Sequence, residues 1–393
     1  MRIKNIMRYQ TTRYLARLSF LSFIILLVLF VYLSLYKAPT IFTKNLNFVT
    51  SQKLASDSNM IKPFFESSFI PQPNCLLAAH SATLDLLPNG SLIALWFAGS
   101  HEGKPDVQIW QSYFESGIWS KAHPIVSRIS LAQDMLMYIK KVGNPVIYRA
   151  VDNTLHLFVL SVSIGGWSGS SLNHLISLDN GVSWSKAKKI VLSPIFNIST
   201  LVRTSAITLS NGGFYLPVYH EAIRYYPEIL YFDASGKFIK QLRINSYNRM
   251  IQPAIAIDSP TTAFAYFRNH INSDVTLYTQ ATHDTGKTWG KLVATNLYNK
   301  DSSIAVASLG DGRILMIRNI VNRNRLAISI TRNGYYWKDI VYLEDSALDG
   351  EFSYPVIKVH NDIVDILYTW QRKYIKHVRF NTRWLNTKES EAL

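Results

Sequence analysis

A turn of the pattern Ser/Thr-x-Asp-x-Gly-x-Ser/Thr-Trp stands at Ser177 to Trp184 (SLDNGVSW) and again at Thr282 to Trp289 (THDTGKTW). Weaker copies lie at Ser112 to Trp119, Tyr231 to Phe238 and Thr331 to Trp337. With Trp384 as the sixth marker, the closing aromatics Trp119, Trp184, Phe238, Trp289, Trp337 and Trp384 follow one another at 65, 54, 51, 48 and 47 residues. Self-similarity at such a period belongs to repeat architectures, in which each unit buries its apolar face only against its neighbours.

Each unit reads as an apolar strand, a polar turn, a second apolar strand, a third running into the marker turn, and a fourth beyond the aromatic. Blade-sized units of four short antiparallel strands predict an all-β fold, a six-bladed β-propeller. The Asp of the marker turn accepts hydrogen bonds from its own backbone while the Gly takes φ > 0, so these turns read as structural. The sixth unit has three good strands, but the polar tail after Leu385 cannot supply a fourth. An uncovered edge is a liability, and Phe64 to Ile70, ahead of the first blade, is expected to supply the missing outer strand. The single Cys75 excludes an internal disulfide, leaving core burial to hold a chain that is 48% hydrophobic.

Nineteen uncharged residues, Leu18 to Tyr36, precede this region. As a helix they span roughly 28 Å, one bilayer crossing. Arg2, Lys4, Arg8, Arg13 and Arg17 flank them on the N-terminal side with no acid, which places the N-terminus in the cytoplasm and the propeller outside, periplasmic or extracellular. A cleaved signal peptide is the competing reading. The expected organisation is thus 1–17 cytoplasmic tail, 18–36 transmembrane helix, 37–63 linker, 64–385 propeller and 386–393 polar tail. Of the net charge of +15, residues beyond 44 carry +8, an excess that suits an acidic glycan. There is no basic stripe or reading motif for nucleic acid. No metalloprotease, P-loop, dinucleotide or hydrolase-elbow motif is present, the histidines are dispersed, and neither metal nor cofactor is expected.

The segments His80-Ser81-Ala82-Thr83, WFAGSHEGKPDVQIW (Trp96 to Trp110), GNPV (Gly143 to Val146), GGWSGSS (Gly165 to Ser171), LPVYHE (Leu216 to Glu221), Gln252-Pro253 and EFSYP (Glu351 to Pro355), together with the marker turns, resemble the sialidase-like superfamily with Asp-box (BNR) repeats, in its bacterial sialidase-like branch. The resemblance runs from about residue 64 to 385. It implies a site over the propeller axis, where sialidases clamp a sugar carboxylate with three arginines, use an Asp as acid/base and a Glu-activated Tyr as nucleophile. The Arg-Ile-Pro motif carrying the first arginine is absent; its place reads Ala79-His80-Ser81-Ala82. An imidazole does not replace a bidentate guanidinium.

Along a propeller blade the innermost strand and the loop after it point toward the axis, so polar residues there are the site candidates. These include His80, Glu102 and Asp106 in blade one; Arg203, His220 and Glu221 in blade three; and Arg268 and Arg318, each ending a second strand. Tyr354 opens the last blade, and Trp167 is placed to stack on a sugar. The expected roles are Tyr354 as nucleophile assisted by Glu221, Asp106 or Glu102 as acid/base, and Arg203, Arg268 and Arg318 on the carboxylate. Arg372, Lys373 and Lys376 read as a solvated basic run. Two other functions fit the same residues: a uronate-type polysaccharide lyase using His80, His220 and Tyr354, and a non-catalytic glycan-binding envelope protein.

Overall fold

The computed structural model describes residues 2–35, 46–50, 62–193, 197–247, 249–271, 273–346 and 350–392. Six antiparallel sheets make up the propeller. Their innermost strands begin at Ala78, Lys141, Leu201, Met250, Ala305 and Phe352, numbered here as blades one to six. Nearly continuous apolar burial runs through the second strands, such as Leu92–Gly99 and Leu155–Val162, as expected where both faces of a blade are covered by neighbours.

The marker turns do the local work their chemistry suggests. In the turn closing blade two, Asp179 accepts from the Ser183 backbone N–H and hydroxyl at 2.9 and 2.5 Å. Asp284 repeats both bonds with Thr288 in blade four, at 2.9 and 2.6 Å. Gly181 and Gly286 adopt φ of 89° and 75°, as the tight turn requires. Trp184 Nε1 reaches into blade one to donate to Gln111, so the turns also join neighbouring blades.

The ring closes through the N-terminal strand. Phe65–Phe69 pairs antiparallel with Tyr374–Asn381, the third strand of blade six. Its side chains remain exposed, so what it contributes is mainly backbone pairing of an otherwise open edge. Trp384 is not in a marker turn. It lies in a C-terminal helix, Thr382–Glu391, and packs on Phe65 at 4.7 Å between ring centroids.

Three further features depart from the sequence reading. A short helix, Arg128–Met135, capped by Ser127 and Ser130, sits between blades one and two and accounts for the longest interval between markers. Within the stretch expected as a linker, 46–50 packs on the propeller: Phe48 is buried, and its backbone N–H donates to Pro260. The N-terminal helix runs over Arg2–Leu35 rather than beginning at Leu18; its most apolar window is Arg13–Phe30.

Candidate functional site

Four innermost strands share an irregularity that positions the site. The register shifts between His80 and Thr83, Gly143 and Val146, Ile251 and Ala254, and Ser353 and Val356. At each bulge one residue lies in the left-handed region: Ser81 (φ 56°), Asn144 (34°), Gln252 (49°) and Tyr354 (53°). Bulges re-aim side chains, and three of these residues precede a proline, which has no N–H to lose from the ladder. For a bulky residue such as Tyr354 this backbone is strained by about 1–3 kcal/mol, a cost that persists only where surroundings over-determine it.

Those surroundings are cationic. The Tyr354 hydroxyl accepts from Arg268 Nη1 at 3.2 Å. The guanidinium carbons of Arg203 and Arg323 lie 5.1 and 5.9 Å from the Tyr354 ring centre. The ring of His80 meets it edge-on at 4.3 Å. Arg268 also donates Nε–H to Asp301 at 2.7 Å, and His270 bonds the same carboxylate oxygen at 2.8 Å. Burial alone would raise Asp301, but these two bonds hold it below the usual carboxylate range. Burial likewise opposes the charge on Arg268, yet Tyr354 and Asp301 more than restore it.

Glu351 organises the other side. It accepts from Arg372 Nε at 2.5 Å and from Arg323 Nη1 at 3.0 Å, while Arg372 Nη1 reaches Glu102 at 3.3 Å. Burial and then the charges of Arg372, Arg323, Arg203 and Arg268 drive the His80 imidazolium form far down, so His80 is neutral. Burial raises the Glu221 carboxyl against the opposing pull of Arg268 and His270. Glu221 makes no hydrogen bond to Tyr354 among the described residues; its backbone N–H is held by Ser199.

The fold thus gathers Tyr354, His80 and Arg268, with Glu221 and Glu102 at the margins. Arg203 is close but sits differently from the expectation. It is 2% exposed and donates to the carbonyls of Ala82 and Pro355, so two of its nitrogens are committed to backbone. Burial lowers it to about 10, so it remains charged at neutral pH. Arg318 is not in the site: Asp339 takes both oxygens to its Nη2 at 2.8 Å, and Ser329 accepts from Nε.

His220 is tied to Glu228 at 2.9 Å and stacks on Tyr226, which removes it from any pairing with His80. Trp167 covers Gly143, where an added Cβ would come within 2.5 Å of the indole, and Lys141 lies over its ring; it anchors its loop. Asp106 accepts from the Ser100 backbone and hydroxyl at 2.7 and 2.9 Å, capping its own loop. Burial would raise this carboxyl, but the Ser100 bonds keep it low.

Arg323 was not among the sequence candidates, and Arg372 was read as solvated. Arg323 lies in the loop Ile320 to Asn324 and Arg372 in the hairpin turn Gln371 to Lys373. Both loops follow second strands, which is the position that signals them.

The family model for the BNR repeat-like domain matches residues 90–366. Among curated proteins none matches in sequence. Similar solved structures include the Hadza microbial sialidase Hz136, with TM-score 0.64 and 17% identity over 79% of this chain and 67% of that one. A protein of unknown function from Dyadobacter fermentans gives TM-score 0.65 and 14% identity over 86% of this chain and all of that one. Trypanosoma rangeli sialidase gives 0.63 and 16% over 84% of this chain, which spans 61% of the trypanosomal one.

Proposed function

The chain belongs to the BNR repeat-like domain family and to the sialidase-like superfamily, and from this we propose that it is an exo-glycosidase acting on acidic sugars, held at a membrane by its N-terminal helix with the propeller outside the cytoplasm. The observation that carries the reading is Tyr354: a strained, left-handed tyrosine whose hydroxyl rests on Arg268. A tyrosine oxygen becomes an attacking group when a neighbouring base takes its proton.

In the proposed reaction the Tyr354 oxygen attacks the anomeric carbon and its proton passes to Glu221, whose raised affinity for protons suits a base. The glycosidic C–O bond breaks, and its oxygen takes a proton from Glu102. Water then attacks the anomeric carbon, giving its proton to Glu102, while the bond to the Tyr354 oxygen breaks and that oxygen recovers its proton from Glu221. Arg268, Arg323 and Arg372 hold the sugar carboxylate, the last two oriented by Glu351. This assigns the clamp to Arg323 and Arg372 in place of Arg203 and Arg318, and the acid role to Glu102 in preference to Asp106.

The test is a panel of aryl glycosides of acidic and neutral sugars incubated with the full chain in detergent. Release of aryl alcohol from acidic members alone is expected, and turnover of neutral members at the same rate counts against the reading. A β-elimination reading draws on the neutral His80 beside Tyr354; a rise in ultraviolet absorbance on a uronic acid polymer would select it. Binding of an acidic glycan without turnover would select the non-catalytic reading.

A further inference from the structure

The innermost strands that carry His80, Asn144 and Tyr354 near their start carry a second set of polar groups at their far end. Asp85, Arg149 and Lys358, from blades one, two and six, line a cavity of about 220 Å³ at the end of the axis away from Tyr354. Residues of all six blades form its wall, and Val49 joins them there, its backbone N–H held by the Thr208 carbonyl at 3.1 Å.

Asp85 is 3% exposed and both its oxygens are engaged. They accept from the backbone N–H groups of Leu86 and Arg149 at 2.7 and 2.8 Å, and Lys358 pairs with the carboxylate. One carboxylate cancels one of the two cations, so the cavity keeps a positive charge. Donors are left over as well. Arg149 gives Nη1 to Asn153 at 2.7 Å, but its Nε is buried with no acceptor among the described residues. An ammonium has three N–H groups, of which the Asp85 pairing uses one. A buried N–H on a charged group is costly to leave unpaired. A metal ion would meet two positive charges against one negative, whereas an anion meets the reverse.

We infer that this cavity binds a small tetrahedral oxyanion of the phosphate class between Arg149 and Lys358. A guanidinium takes two oxygens of such an ion and an ammonium takes a third, so four oxygens serve donors arriving from separate strands better than the two of a carboxylate. The bound ion links blades two and six, each of which Asp85 already ties to blade one, and braces the ring at the end where Val49 sits. Nothing in this site touches Tyr354, and it stands whether or not the axial site at the other end acts on a sugar acid.

The experiment titrates inorganic phosphate, with glycerol 3-phosphate beside it, into the full chain in detergent by calorimetry at fixed ionic strength, so that screening of surface charge stays constant. Saturable binding is expected with a dissociation constant of roughly 1 mM or tighter, from two charge-assisted contacts in a confined space. The melting temperature should rise with the same concentration dependence, because the ion binds the closed ring. Arg149→Gln, at a half-buried position whose backbone bond to Asp85 survives, should weaken phosphate by about tenfold or more. Arg268→Ala removes a cation from the Tyr354 end and should leave this affinity unchanged. Should Arg149→Gln fail to fold, Val49→Trp decides in its place, since it fills the mouth without touching a charge: loss of binding supports the site and full binding overturns it. Preference for inorganic phosphate assigns the site to the free ion, and equal affinity for glycerol 3-phosphate assigns it to a phosphate carried on a larger molecule; either result supports the inference. Absence of saturable binding overturns it, as does binding that persists in Arg149→Gln and disappears in Arg268→Ala.

Discussion

Trp119 Nε1 donates to His377 Nδ1 at 3.1 Å across the seam between blades one and six. Because an indole can only donate, His377 must accept at Nδ1 and carry its proton on Nε2, which it directs at Asp365 2.7 Å away. Asp365 is fully buried and also accepts from His360 at 2.8 Å. Burial would raise this carboxyl, yet the two histidines and Arg379 hold it below its ordinary range.

Trp119→Phe should leave His377 Nδ1 buried without a donor and cost about 1–3 kcal/mol. Asp365→Ala removes the acceptor for two histidines at once and should cost more, about 3–5 kcal/mol. Chemical denaturation measures both, and a Trp119→Phe protein as stable as the parent would show that the seam does not depend on this chain of bonds.

Removal of residues 1–60 should leave a folded propeller weakened by about 1.5–3 kcal/mol, the burial of Phe48. Removal of 1–72 takes away the closing strand Phe65–Phe69 as well and should abolish cooperative unfolding. Equal melting of the two truncated proteins would contradict the closure.

Arg268 and Arg318 separate ligand binding from stability. Arg268→Ala should weaken acidic ligands by about 1.5–3 kcal/mol while sparing neutral ones. Arg318→Ala should leave ligand affinity alone and lower stability by about 2 kcal/mol or more, since Asp339 loses its bidentate partner. Tyr354→Phe should abolish turnover and preserve binding. Full activity in Tyr354→Phe would move the chemistry to His80 or Glu102.

His156 and His174 lie ring to ring in blade two, Nδ1 to Nε2 at 2.9 Å. Burial lowers His156 to about 4, and burial with the neighbouring His156 lowers His174 to about 3. The unfolded chain binds these protons at about pH 6.5 and the native one only far below. Stability is therefore complete above that value and falls as pH drops from about 6.5 toward 3. Melting temperatures measured from pH 8 to 4 should decline accordingly, and the doubly substituted His156→Phe, His174→Phe protein should show a shallower decline. An unchanged slope would assign the acid sensitivity elsewhere.

The helix Arg2–Leu35 should carry the full chain into the membrane pellet, with a reporter fused after Leu393 active outside the cytoplasm. A mature N-terminus near residue 38 would identify a cleaved signal instead.

The blade count, the turns and the source of the closing strand were legible in the sequence because their chemistry is local. An Asp, a Gly and a Ser or Thr within a few residues form the same turn wherever they occur, as Asp179 and Asp284 do, and an incomplete last unit must find a strand. The motifs around Asn144, Gln252 and Tyr354, each followed by proline, were visible too, but that each lies at a left-handed bulge is a property of the folded strand.

Which arginines meet at the axis was decided only by tertiary structure. Arg268 and Arg318 occupy the same penultimate position in the second strands of successive blades, and the sequence treats them alike. A buried guanidinium settles on a carboxylate within its reach. Arg318 finds Asp339 on the outer strand of its own blade, whereas Arg268 finds Asp301 in the connection to blade five and Tyr354 from blade six. Those partners lie 33 and 86 residues away in sequence, a separation that only closure of the ring brings within hydrogen-bonding distance.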